Sequence, residues 1–169
     1  EKMGGSLTCT SEPGSGTEFV FSFRAKIADE PKQKTAEVKI EHYNFAGRRV
    51  LVAEDNLLNR EIAHNILENA GFAVEEAVNG REAVAKVSAA EPYYYDLVLM
   101  DIQMPVMDGY EAARTVRALS DPGRGDIPIV AMTANAFEED RQRALKAGMN
   151  DHIAKPVDIQ QMMNVLEKV

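Results

Sequence analysis

Asp96-Leu97-Val98-Leu99-Met100-Asp101 is the stretch whose reading decides the fold. Leu97 to Met100 is an unbroken apolar run, and it stops on a carboxylate. A strand that is half exposed alternates apolar and polar residues, whereas one buried on both faces is apolar throughout. The same pattern recurs on both sides of it. Upstream, Arg49-Val50-Leu51-Val52-Ala53 stops at Glu54-Asp55-Asn56, and Phe72-Ala73-Val74 trails into Glu75-Glu76-Ala77. Downstream, Ile127-Pro128-Ile129-Val130-Ala131-Met132 stops at Thr133, and Asp151-His152-Ile153-Ala154 stops at Lys155-Pro156.

Helical spacing fills the intervals. Leu58, Ile62, Ile66 and Leu67 fall on one face, with Gly71 where a C-cap belongs. Asn79-Gly80 introduces a helix from Arg81 to Ala89, and Asp108 caps one through Leu119. Phe137 to Ala147 is closed by Gly148, and Asp158 caps a last helix to about Glu167. Five strand–helix pairs in strict alternation imply an α/β fold, with a parallel sheet covered by helices on both faces. The expected architecture is flavodoxin-like and doubly wound, with five strands in the order 2-1-3-4-5.

In such a sheet ligands bind at the carboxyl ends of the strands. Those ends carry Glu54-Asp55, Asp101, Thr133 and Lys155. Three carboxylates held close repel one another unless a cation enters. Mg²⁺ suits them, because it takes one or two carboxylates and shares its remaining positions with water and phosphate. Lys155 balances further charge and can pair with a phosphoryl oxygen, and Thr133 offers a hydroxyl to another. Asp101, at the tip of the central strand, is then a candidate nucleophile that forms an aspartyl phosphate. Singly, each residue also has a plain structural reading as a helix cap or turn residue. Their coincidence at the ends of four strands is what points to a site.

The rest of the chain bounds the function. It has 169 residues and a net charge of −8, which argues against a nucleic-acid or anionic membrane surface. It has no apolar run long enough for a membrane span and no signal peptide. The single cysteine, Cys9, allows no internal disulfide and reads as a small half-buried strand residue. A cytosolic location is expected for this stretch, with room for a membrane anchor elsewhere in a parent protein. The start at Glu1 suggests a piece of a longer chain. Residues 1–23 read as a β-hairpin, with strands at Ser6–Thr10 and Glu18–Phe23, and residues 24–46 as a solvated linker.

With these residues in place, residues 47–169 resemble the receiver domains of two-component response regulators, most closely those fused to hybrid histidine kinases. Four stretches carry the likeness: Val50 to Asn56, Leu99 to Gly109, Ile129 to Ala136, and Gly148 to Pro156. The resemblance implies a phosphorelay receiver that catalyses its own phosphorylation and dephosphorylation, with Asp101 as phosphoacceptor. Asp55 and Asp101 would bind Mg²⁺ directly with the backbone carbonyl of Gln103, and Glu54 would act mostly through water. Thr133 and Lys155 would hold phosphoryl oxygens, Lys155-Pro156 would be cis, and Pro105 and Gly109 would shape the loop after the acceptor. The family usually places Tyr or Phe three residues before the lysine, as a partner of Thr133 in the switch. Here that position is His152, which would make the response pH-sensitive.

Met3 to Leu7 and Pro13 to Phe19 resemble the last hairpin of a histidine kinase ATPase domain. The nucleotide-binding boxes and the phosphoacceptor histidine helix are absent from this chain. It is therefore not expected to bind ATP or act as a kinase by itself. No DNA-binding domain follows the last helix, so the expected partners are a histidine kinase domain or a histidine phosphotransfer protein. Two alternatives remain at this point. One is a Mg²⁺-dependent phosphohydrolase of the haloacid dehalogenase type, which needs a second Asp two residues after the nucleophile, where this chain has Gln103. The other is a flavodoxin-like interaction module that is never phosphorylated.

Overall fold

The computed structural model describes residues 5–14, 16–22, 43–134 and 138–168. The chain divides into two units, Glu1–Glu37 and Val38–Val169. In the first, β1 (Ser6–Glu12) and β2 (Gly16–Ser22) pair antiparallel, with Ser6 opposite Ser22 and Glu12 opposite Gly16. Every residue of both strands is exposed. A two-stranded hairpin has no second layer to bury a face, so Cys9, expected to be half buried, is exposed.

In the second unit the elements follow in the order β3 (Arg49–Ala53), α1 (Leu57–Asn69), β4 (Ala73–Ala77), α2 (Gly80–Ala89), β5 (Leu97–Asp101), α3 (Gly109–Arg117), α4 (Pro122–Gly125), β6 (Ile129–Thr133), α5 (Glu138–Lys146), β7 (Asp151–Ala154) and α6 (Ile159–Leu166). All five strands are parallel, in the order β4-β3-β5-β6-β7. That is the doubly wound 2-1-3-4-5 arrangement expected. Alternate residues of each central strand feed two separate cores. Val50, Val52, Leu99 and Met132 pack with Ala63 and Leu67 of α1 and Met162 and Met163 of α6. Leu51, Met100 and Ala131 pack with α2, α3 and α5 through residues such as Val87, Val116 and Ala144. Two buried faces explain why these strands are apolar at every position.

Side-chain caps start the helices where the sequence places them. The Asn56, Asn79, Asp108 and Asp158 side chains accept the N–H groups of Asn59, Glu82, Glu111 and Gln161, at 3.1, 2.9, 2.7 and 2.8 Å.

Three features depart from expectation. The apolar face assigned to α1 meets the sheet only in part: Leu67 is buried and Ile66 packs against the core, but Leu58 and Ile62 are exposed, and Arg60 and Ala63 take the inward positions. The small Ala63 lets the helix approach the sheet, and Arg60 has partners beneath it that fix the rotation. The one-turn helix α4 was not expected; Asp121 caps it from just ahead of Pro122. The predicted linker 24–46 lies mostly outside the described residues, but its last residues belong to the second unit. Phe45 is buried, stacks on Phe72 with ring centroids 4.5 Å apart, and donates its N–H to the Ala70 carbonyl at 3.1 Å. Among the described residues no helix is long and apolar enough to cross a membrane.

The loop from β5 to α3 is held by close backbone packing. A Cβ at Gly109 would lie 2.2 Å from the Asp101 carbonyl oxygen and 3.0 Å from Ile102 Cα, both backbone atoms that cannot step aside. Gly109→Ala is expected to cost about 2–3 kcal/mol by overpacking, read as a lower urea midpoint. An unchanged midpoint would contradict this packing.

Candidate functional site

The carboxyl ends of β3, β5 and β6, together with the turn after β7, bring the predicted residues to one place. Glu54 and Asp55 follow β3, Asp101 ends β5, Thr133 ends β6, and Lys155 follows β7. Glu54, Asp55 and Asp101 each offer a carboxylate oxygen within 4.8 Å of the others. Lys155 Nζ donates to Glu54 Oε2 at 2.6 Å and to Asp101 Oδ2 at 2.8 Å. It thus joins the first and third strands of the sheet from the turn after the fifth. The Lys155 N–H also donates to the Thr133 carbonyl at 2.7 Å, and the Lys155–Pro156 peptide is cis.

The three carboxylates are not equivalent. Glu54 is buried, and protein donors occupy both of its oxygens. Oε1 accepts from the Asn56 N–H at 3.3 Å and from Asn59 Nδ2 at 3.2 Å, while Oε2 takes Lys155. Asp101 is also buried; its Oδ1 accepts the Gln103 N–H at 3.3 Å, which leaves it partly open. Asp55 is exposed, and its carboxylate has no hydrogen-bond donor among the described residues.

Burial raises the Asp101 carboxyl above the ordinary aspartate value. The Lys155 hydrogen bond opposes that rise, the Glu54 charge adds to it, and neither the Lys155 charge nor the Gln103 N–H cancels it. Burial alone would lower the Lys155 ammonium. Its hydrogen bonds to Asp101 and Glu54 and their charges outweigh that effect and hold it above the ordinary lysine value. Lys155 is therefore a firm cation, set against more negative charge than it can balance alone. Such a donor set, all oxygen and short of positive charge, fits a hard divalent cation.

Thr133 is buried at the end of β6, and Gln103 is exposed just beyond Asp101. His152 lies on the edge strand β7, opposite Ala131 of β6. Its Nδ1 is 3.5 Å from Asp151 Oδ1, buried and without a hydrogen bond among the described residues. The ring lines a groove of about 570 Å³ together with Arg141 of α5 and Asp158, Gln161 and Lys168 in and around α6.

Two contributors were not read from the sequence. Asn59 supports Glu54, and Arg60 donates to the main-chain carbonyls behind the acidic pair at 2.8 and 3.4 Å. Spacing alone does not single out Arg60, because its row with Ala63 and Leu67 is seen to face the core only once the helix is seated on the sheet.

Comparison with known proteins agrees with this geometry. The response regulator receiver domain family matches residues 50–167. The aerobic respiration control sensor protein ArcB of Escherichia coli K12 is 35% identical over 170 residues, covering 99% of this chain and 21% of that protein. The crystal structure of the receiver domain of sensor histidine kinase PA1611 from Pseudomonas aeruginosa PAO1, with magnesium coordinated in its active-site cleft, superimposes with a TM-score of 0.64. It is 38% identical and covers 73% of this chain and 97% of that one. A chain of the co-crystal structure of the Saccharomyces cerevisiae phosphotransfer protein Ypd1 with the receiver domain of Ssk1 gives a TM-score of 0.62. It is 31% identical, with 72% and 86% covered. The chain spans 8%, 7% and 21% of the length of three of the curated relatives it matches, all of them sensor or hybrid histidine kinases. The alternating strands, the acidic cluster bridged by Lys155 and these matches together make the chain a member of the response regulator receiver domain family.

Proposed function

We propose that Asp101 accepts a phosphoryl group from a phosphohistidine donor, with Mg²⁺ held by Asp55, Asp101 and the Gln103 carbonyl. The observation that carries this reading is the pairing at the tip of β5. A buried carboxylate has one oxygen on Lys155 and the other only weakly held, beside an exposed carboxylate with no donor among the described residues. Glu54, with its oxygens already engaged, would reach the cation mostly through water. Bound there, Mg²⁺ supplies charge neutralisation for the phosphoryl oxygens. An Asp101 oxygen attacks phosphorus, the bond from phosphorus to the donor imidazole breaks, and the donor nitrogen keeps the electron pair. Lys155 and the Thr133 hydroxyl then hold phosphoryl oxygens. Gln103 cannot act as the general acid that a haloacid dehalogenase-type hydrolase needs at this position, which favours a phosphate that stays long enough to signal.

The partner is a histidine phosphotransfer protein or a histidine kinase domain. Leu57, Leu58 and Ile62 expose 60%, 64% and 45% of their surface on α1, immediately after the acidic pair, and Val106 exposes 67% in the loop after Asp101. Apolar side chains flanking a charged cleft suit a protein donor that must shield phosphoryl transfer from water. Output is a change of packing biased by Thr133, with His152 as the switch residue on the groove beside α6. Residues 1–23 are the end of a histidine kinase ATPase domain, 24–46 the link and 47–169 the receiver. The antiparallel pairing of β1 and β2 and the alignment to ArcB over 99% of the chain support this. The relay is cytosolic, whatever anchors the parent.

Two measurements bear on this reading. With Mg²⁺, a phosphorylated histidine phosphotransfer protein is expected to pass its label to the wild type and not to Asp101→Asn. Leu58→Asp slows that transfer at least severalfold but leaves phosphorylation by acetyl phosphate unchanged; transfer to Asp101→Asn would refute the assignment.

The second is pH dependence. In the metal-free protein the Asp101 midpoint lies above the ordinary 3.8, because burial outweighs the opposing Lys155 hydrogen bond. Lys155→Met raises that midpoint further, read from the carboxyl carbon shift of the metal-free protein, because an opposing hydrogen bond is lost. A lower midpoint would contradict the electrostatics.

A further inference from the structure

Arg60 is 8% exposed, in the core-facing row of α1 that continues with Ala63 and Leu67. A guanidinium placed there costs several kcal/mol to desolvate unless its donors find partners. Its Nε donates to Glu76 Oε2 at 2.9 Å. Its Nη1 donates to the Glu54 carbonyl at 2.8 Å and, more distantly, to the Asp55 carbonyl at 3.4 Å. Both carbonyls lie between the last residue of β3 and the first turn of α1. They belong to the two residues whose side chains enter the acidic cluster.

The anchor on the other side is itself fixed. Glu76 stands opposite Val52 in the β3–β4 ladder, and its Oε1 is 2.6 Å from His64 Nδ1. Its carbonyl accepts from Lys86 Nζ at 2.6 Å. The neighbouring strand thereby holds the guanidinium, and the guanidinium holds the turn. Lysine could not reproduce this, since one ammonium cannot present two donors in the rigid fork that meets a carboxylate and a carbonyl together.

We propose that Arg60 is a positioning residue for the phosphoacceptor cleft: with Glu76 as its counter-ion, it pins the Glu54 and Asp55 carbonyls and so aims both carboxylates at a divalent cation. This rests on the phosphoacceptor reading above. Mg²⁺ demands near-ideal geometry, so a turn that rotates by a fraction of an ångström loses affinity even when the fold survives. A merely structural arginine would contribute to stability and leave the affinity of the folded protein unchanged.

The test is an Mg²⁺ titration followed by amide shifts, with a urea midpoint for each protein. Arg60→Met is expected to weaken Mg²⁺ binding by about 10–100-fold, the range for groups that orient metal ligands. Glu76→Gln and Arg60→Lys should fall between it and the wild type. Leu67→Ala, which opens a cavity in the same helix row, should lower the urea midpoint and leave Mg²⁺ affinity unchanged. If Arg60→Met does not fold, Arg60→Lys carries the comparison. Wild-type affinity in the Arg60 variants, or an equal loss in Leu67→Ala, overturns the assignment alone. A wild type that binds no Mg²⁺ overturns the cleft reading and the assignment with it.

Discussion

The site depends on one ammonium group. Lys155 reaches from the turn after β7 to hold Glu54 and Asp101 at 2.6 and 2.8 Å, and Glu54 and Asp101 are almost fully buried. Removing one partner from a buried ion pair costs about 3–5 kcal/mol, because the remaining charge is stranded. Here two carboxylates would face each other without it. The arrangement therefore requires a sheet whose first, third and fifth strands end at the same level, and the parallel order β4-β3-β5-β6-β7 supplies that. The cis Lys155–Pro156 peptide lies at the same turn, and the Lys155 N–H is tied to the end of β6 through the Thr133 carbonyl.

A single lysine cannot neutralise three carboxylates, and the shortfall is unevenly placed. Glu54 is committed to protein donors, Asp101 is half committed, and Asp55 faces solvent. The most open carboxylate is thus nearest to where a cation and a phosphoryl group would enter. The buried one sets their charge balance from behind. The loop after Asp101 is shaped by close approach and by core packing: Gly109 packs on the Asp101 carbonyl, Ile102 and Met104 are buried in the core, and Val106 adopts a positive φ of 71°.

Much of this was legible in the sequence, because the signals were of the kind that survive folding. Continuous apolar strands that stop on Glu54-Asp55, Asp101, Thr133 and Lys155 indicated the sheet, its order and the residues that meet at its edge. Asp108 and Asp158 announced their helices by capping them. The rotation of α1 was not legible. Leu58 and Ile62 have the spacing of a buried face, yet what turns the helix is Arg60, and its partners are main-chain carbonyls and a residue on another strand. Apolar periodicity cannot report a backbone acceptor. The end of the linker was missed for a similar reason: Phe45 finds its place by stacking on Phe72, a contact that spacing does not encode. Cys9 was expected to be half buried and is exposed, on a hairpin whose strand residues are all exposed. His152 was read as part of the switch from its place before Lys155, but the groove it lines beside α6 comes from residues far apart in the chain, which spacing does not encode.

The most direct test of the central claim is to find the phosphoryl group on its carboxylate. The protein is treated with acetyl phosphate and Mg²⁺, reduced with borohydride and digested, and the peptide spanning residues 97–114 is sequenced by mass spectrometry. Reduction of an aspartyl phosphate leaves homoserine, so homoserine is expected at position 101, dependent on Mg²⁺ and absent without the phosphodonor. Homoserine at position 55, or unmodified Asp101 in protein that has demonstrably bound Mg²⁺, would contradict it.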